Sequence, residues 1–276
     1  MKRLFIRLWF RLNTFFNFNL NKKVRPRHLL LNQLQKHRAI DMKNVLNKQI
    51  DSYLSKSNNK ERFVFVEIGT YMGESLELWG DLLEQKLKNN FLIISIDPYI
   101  DFASEGDKIK QPGKSRAPEK MSKVIEKIYM YFIHNISLKK KWRDKHIHLR
   151  MNSRAAFKII ENFNIKIDFC YIDGSHYYEN FKFDLENYSK ILESKNEYQG
   201  IICGDDYELS YDELLKKFKK EELDKILSEN KTTDCLIFDE PLHGDFAHFH
   251  PGITLTMKET KIKIKKFASG FFIGSK

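Results

Sequence analysis

Cysteine is scarce in this chain. Three residues in 276, Cys170, Cys203 and Cys235, have no spacing that would ligate a metal. Cys170 and Cys203 fall inside apolar runs, where a free thiol behaves as a small hydrophobe. A reducing, cytosolic compartment is the expectation from such usage. No apolar run is long enough to span a bilayer, because arginines interrupt the amino-terminal one. That run also lacks the unbroken apolar core and small-residue cleavage site of a secretory signal. No internal repeat or low-complexity tract is present.

Net charge is missing from most of the chain too. Residues 1–48 hold twelve Lys or Arg and one acid, Asp41, which accounts for the whole formal charge of +11. The other 228 residues carry 36 basic and 36 acidic groups. A polyanion-binding argument therefore applies to the arm and not to the body, and nucleic acid is disfavoured as a partner.

What is there begins with Phe63-Val-Phe-Val-Glu-Ile-Gly-Thr-Tyr-Met-Gly73. A short, wholly apolar run fits a strand buried on both faces of a parallel sheet. Gly69 and Gly73 allow a tight turn and close approach of backbone amides to a ligand. Glu74-Ser75-Leu76 then opens a helix expected to reach about Lys88. The third glycine of G-x-G-x-x-G is absent, so pyrophosphate binding is not favoured. A second strand, Phe91 to Ile96, ends on Asp97, 24 residues after Gly73. An acid there can accept both hydroxyls of an adenosine ribose.

Further strands are expected at His146–Met151, at Ile167–Ile172 ending in Asp173-Gly-Ser-His176, and at Ile201–Gly204 ending in Asp205-Asp206. Helices are expected over 28–54, 121–137 and 178–192. Asn152-Ser153 reads as a helix cap. Residues 100–118, rich in Gly, Pro and charge, read either as a substrate lid with Lys114 and Arg116 or as a solvated loop. Residues 208–247 read as a helical insertion near the substrate entrance, and a short helix starts at His248. Alternating Lys and Ile at 261–265, with Gly270-Phe-Phe-Ile-Gly274, makes a closing strand pair. His243, His248 and His250 form no zinc-like array, although His250 could approach the site.

The ordered set Val-Glu-Ile-Gly, Ile-Asp-Pro, Tyr-Ile-Asp-Gly-Ser-His and Gly-Asp-Asp-Tyr resembles class I S-adenosylmethionine-dependent methyltransferases. It is most similar to their metal-assisted sugar O-methyltransferase branch, and so to methyltransferase domain family 24. The resemblance covers about residues 60–207, with a tail at 248–276. It implies an α/β fold: a Rossmann-like, doubly wound, mostly parallel sheet with an antiparallel closing strand and a helical N-terminal extension. The division expected is a basic amphipathic arm (1–27), a helical cap (28–60) and a methyltransferase domain (61–276).

The resemblance implies S-adenosylmethionine at Glu67, Gly69, Gly73, Ser75, Asp97 and Ser153. It implies Mg²⁺ or another hard divalent ion on Asp173, Asp205 and Asp206. Asp173 is the base by resemblance, and His176, three residues on, is its rival. As plain chemistry, Ser153 is a cap before it is a ligand, and Asp173-Gly-Ser could itself be only a cap. The acceptor that the resemblance implies is a small-molecule or glycan hydroxyl. Two other readings stay open: methylation of RNA or protein, and a membrane-tethered module that binds the cofactor without chemistry.

In residues 1–20, Arg3, Arg7 and Arg11 recur every four positions among Leu and Phe. That pattern suits a helix at a membrane surface. The other readings are a helix packed on the domain or on a twin subunit, or a partly disordered arm, so a homo-oligomer stays open.

Overall fold

The computed structural model describes residues 2–25, 34–56, 62–100, 125–195 and 197–275. The expected lid, apart from Ile100, and the start of the expected 28–54 helix lie outside these residues. So do Lys114 and Arg116.

Seven strands form the central sheet: β1 (Phe63–Ile68), β2 (Phe91–Ile96), β3 (His146–Leu149), β4 (Phe169–Ile172), β7 (Ile201–Gly204), β10 (Lys263–Lys266) and β11 (Phe272–Ser275). Their order is β10-β11-β7-β4-β1-β2-β3. The pairs β1–β2, β1–β4, β2–β3 and β4–β7 are parallel, whereas β11 runs antiparallel to both β7 and β10. Strand order reverses at β1, which makes the loop after it the switch point where ligands collect in open α/β sheets.

Alternate strand residues feed two cores. Phe63, Phe65, Phe91, Ile93, Phe169 and Tyr171 face one way, onto α2 (Leu34–Lys56), α3 (Glu74–Leu87) and α4 (Ile125–Ser137). Val66, Ile68, Ile94, Ile96, Cys170 and Ile172 face the other, onto α5 (Ser153–Asn162), α6 (Tyr178–Tyr188) and α9 (Pro251–Glu259). Burial on both faces explains why these strands read as continuous apolar runs and not as alternations. Each such side chain contributes about 1.5–3 kcal/mol when removed from water.

The cap helix α2 seats Met42, Val45, Leu46, Ile50 and Tyr53 on the first core. Buried Gln49 fastens it further: its Nε2 donates among the Asp168 carbonyl (3.2 Å), the Tyr198 hydroxyl (3.0 Å) and the Gln199 carbonyl (2.8 Å). Near the other end, Asp41 accepts from the Ser269 hydroxyl at 2.7 Å. This double attachment brings Arg38 to the carboxyl edge of β7.

Leu209, Leu214, Leu223, Leu227 and Leu236, from residues 208–247, form a separate core with Phe249 and Leu255. That segment holds α7 (Tyr211–Leu214) and α8 (Lys220–Glu229). A two-residue strand β8 (Leu236–Ile237) pairs with β9 (His248–Phe249), so the helix expected from His248 begins instead at Pro251. A hairpin, β5 (Ser194–Lys195) with β6 (Tyr198–Gln199), precedes β7. The expected 178–192 helix tightens to a 3₁₀ turn over Ser189–Ile191.

The arm forms α1 (Lys2–Asn19). Asn135 on α4 pins the chain just beyond it, accepting from the Val24 amide and donating to the Val24 carbonyl, both at 2.8 Å.

Candidate functional site

The ladder registers place the strand ends in one row. Ile68 pairs with Ile96 and with Ile172, and Ile172 pairs with Gly204. The first residue past each end continues the ladder: Gly69 donates to Ile96 O (2.8 Å), Asp173 to Ile68 O (2.7 Å) and Asp205 to Ile172 O (3.2 Å). Gly69, Asp97, Asp173 and Asp205 therefore stand side by side on the carboxyl edge.

At the switch point Glu67 is fully buried, with Oε1 accepting from the Ser75 hydroxyl and Oε2 lacking any hydrogen-bond partner among the described residues. Burial pushes its carboxyl well above the ordinary range. A cationic ligand group beside Oε2 would restore the charge. Gly69 and Gly73 both adopt left-handed backbone, at φ 86° and 80°. A Cβ on Gly69 would sit 2.0 Å from the Asp173 carbonyl oxygen, so β1 and β4 can adjoin here only through glycine.

Asp97 shapes the same loop. Its Oδ2 accepts from the Thr70 and Tyr71 amides and its Oδ1 from the Tyr99 amide, at 3.0, 3.0 and 2.9 Å. The Thr70 side chain also hydrogen-bonds this carboxylate, so Asp97 is held firmly at the strand end beside the glycine loop. An orphaned buried carboxylate oxygen, two left-handed glycines and an acid at the next strand end fit S-adenosylmethionine. Ser153 is tied elsewhere: its carbonyl accepts from the Tyr188 hydroxyl and its side chain bonds Asp184 of α6. The cap of α5 is Asn152, which accepts from the Ala155 amide at 2.8 Å.

The acids expected to hold a metal divide into two arrangements. Asp173 and Asp206 lie with His176, ligand atoms within 4.8 Å of one another. Asp205 is turned instead to Arg38, whose Nη1 is 2.5 Å from Oδ2. Arg38 also reaches Asp206 Oδ1 (3.5 Å) and the Ser269 carbonyl (3.3 Å). Its cation compensates an acid that burial pushes well above the usual range. The three aspartates do not converge as one all-oxygen set.

His176 sits between two carboxylates, with Nε2 3.1 Å from Asp206 Oδ2 and Nδ1 2.8 Å from Asp234 Oδ1. Burial opposes its charge, but hydrogen bonds to Asp206 and Asp234 prevail and raise its pKa well above the ordinary value. Burial and the neighbouring Asp206 raise Asp173 to about 7. Asp206 has left-handed backbone at φ 61°, a strained conformation of the kind that gathers at functional sites. The His250 ring lies 4.2 Å from that of His176, so it does reach the site. Arg38, Glu208 and Asp234 went unread in the sequence. Asp234 carried a partial signal, since the insertion was already placed near the entrance.

The family model described as a methyltransferase domain, Methyltransf_24, matches residues 66–207. No curated protein matches the chain in sequence. Among solved structures, CalS11, a TDP-rhamnose 3′-O-methyltransferase of calicheamicin biosynthesis, is 15% identical at TM-score 0.39, over 80% of this chain and 82% of that one. The O-methyltransferase NovP is 11% identical at TM-score 0.42, over 87% and 79%. MycE, of the mycinamycin pathway, seen with Mg and SAH, is 11% identical at TM-score 0.39, over 84% and 48%. The matched segment begins in β1 and ends just past β7, so it contains the whole row of strand-end acids. The chain belongs to the Methyltransf_24 family of methyltransferase domains and is a class I S-adenosylmethionine-dependent methyltransferase.

Proposed function

We propose that this enzyme methylates a hydroxyl of a sugar or glycan intermediate, with a divalent ion at the acidic rim. The observation that carries this reading is the adjacency of Asp173, the first residue past β4, to the Glu67–Gly69 loop. The loop and Asp173 share the 2.7 Å ladder bond to Ile68 O. S-adenosylmethionine, when bound, supplies an electrophilic methyl group on a sulfonium sulfur. A sugar hydroxyl is a poor nucleophile near neutral pH, so it needs a base and a fixed approach.

Asp173 suits the base, since a carboxyl raised to about 7 can take a proton near neutrality. His176 suits the part of a fixed cation, both of its nitrogens being engaged by carboxylates. It holds Asp206 in place and keeps negative charge at the rim balanced. A divalent ion, when bound, lowers the pKa of an alcohol and orients it. Methyl transfer from labelled donor to a panel of nucleotide sugars, with and without chelator, tests the reading. Transfer abolished by chelator and by Asp173→Asn is expected. Transfer confined to RNA or protein would overturn it.

A second assignment concerns the arm. Thr14 of α1 is buried and Phe18 packs on the first core, while Leu8, Trp9, Leu12, Phe15 and Phe16, with Leu20 just beyond the helix, are exposed. No helix of the described residues is long and apolar enough to cross a membrane. An exposed apolar stripe within an arm, residues 1–27, that carries eight cations and no acid suits the surface of an anionic bilayer. Co-sedimentation with vesicles containing phosphatidylserine, lost in Trp9→Ser/Phe16→Ser, is the expected result. Equal sedimentation of that variant, or self-association of the wild type in place of vesicle binding, would contradict it.

A further inference from the structure

We infer that Asp206, Glu208 and His250 form a binding site for a first-row divalent transition ion, different in composition from the all-aspartate set read in the sequence. The inference shares with the proposed function only the premise that the rim takes a divalent ion.

Glu208 lies two residues past Asp206, in the segment leaving β7. It is 2% exposed, and its Oε2 has no hydrogen-bond partner among the described residues. The imidazoles facing its Oε1 stand off, at 3.7 Å for His248 Nε2 and 3.9 Å for His250 Nε2. Neither distance makes a hydrogen bond. Oε2 is thus a buried acceptor without a donor, and a cation between Glu208 and its neighbours would satisfy it.

His250 is oriented for this task. Its Nδ1 lies 2.6 Å from the Asp234 carbonyl oxygen, which can only accept, so Nδ1 carries the hydrogen. Nε2, the nitrogen that faces Glu208, is the one left to coordinate. Imidazole ligands are commonly fixed by such a bond from the far ring nitrogen to a carbonyl. A ligand atom from each of Asp206, Glu208 and His250 lies within 4.8 Å of the others.

The rival sets, two that contain His176 and the all-aspartate one, are weaker on geometry. His176 already spends both ring nitrogens on Asp206 and Asp234. Asp205 is held by Arg38. The remaining set is two carboxylates and one imidazole. Mg²⁺ favours oxygen ligands with near-ideal octahedral geometry, whereas an imidazole nitrogen favours first-row transition ions.

Mn²⁺ is the probe, added to the full-length chain without donor or acceptor, so that the outcome does not depend on methyl transfer. Electron paramagnetic resonance should report one bound Mn²⁺ with ¹⁴N coupling from a ring nitrogen, and Mg²⁺ should compete poorly. Glu208→Gln and His250→Gln should each weaken binding by about tenfold or more. The ¹⁴N coupling should survive Asp205→Asn, a check that needs neither of the first two variants to fold. Absence of bound Mn²⁺, a shell of oxygen alone, or dependence on Asp205 without dependence on Glu208 and His250 would each overturn the inference.

Discussion

Arg38→Met isolates the ion pair that closes the rim from the cap helix. Methionine keeps most of the apolar stem and deletes the guanidinium. The guanidinium stands 2.5 Å from Asp205, whose side chain is 5% exposed, while the Arg38 side chain is 20% exposed. Removing one partner of a buried pair costs about 3–5 kcal/mol. The partial exposure of Arg38 points to the lower end, about 3 kcal/mol.

The loss should depend on pH. Without Arg38, the Asp205 carboxyl rises further in the folded state than burial already takes it. The folded variant then holds a proton that the unfolded chain releases above the ordinary Asp value. Below the value Asp205 already has in the wild-type fold the two proteins respond to pH alike, and the variant loses stability relative to wild type only as pH rises beyond it. Asp205→Asn should rescue it, because both charges are then gone. Urea unfolding of the four proteins at pH 7 should give a coupling of about 2–3 kcal/mol. Additivity within about 0.5 kcal/mol would refute the reasoning, since independent sites behave that way.

Two further substitutions probe the scaffold. Gly69→Ala places a side chain at φ 86° and against the Asp173 carbonyl. The backbone strain alone is about 1–3 kcal/mol, so the melting temperature should fall by at least about 2 °C and donor binding should be lost. An unchanged melting temperature would contradict the close approach of β1 and β4. Asp168, at the opposite edge of the sheet, has its carboxyl raised to about 7 by burial, although it accepts from the Val64 amide at 2.6 Å. A raised acid destabilises the fold as pH climbs from its unfolded to its folded value. Asp168→Asn should therefore gain on wild type between pH 4 and pH 7, by on the order of 4 kcal/mol. Parallel pH–stability curves for the two proteins would exclude that proton.

The strand-end row was legible because parallel strands buried on both faces leave unbroken apolar runs, and because Gly69, Asp97, Asp173 and Asp205 each end one. The cap helix was legible too, from its apolar residues, but not its partner. Arg38 and Asp205 are 167 positions apart, and nothing local marks an arginine that will meet an acid after folding. Asp97 shows how one residue type can answer two demands, since it shapes the glycine loop as well as ending a strand. Glu208 and Asp234 were hidden in a charged segment whose composition resembles any solvated surface. The pairing of β8 with β9 that follows Asp234 is two residues per strand and beneath any periodicity.

The central claim is that the loop after β1, with Glu67 beneath it, is the seat of the methyl donor. Calorimetric titration with S-adenosylmethionine and with its demethylated product, on wild type and Glu67→Gln, tests it most directly. The claim predicts one site in wild type, with the product binding at least comparably. It also predicts affinity at least about tenfold weaker in Glu67→Gln, from a hydrogen bond to a charged group worth about 1.5–3 kcal/mol. Equal affinity in the two proteins, or no binding by the wild type, would contradict it.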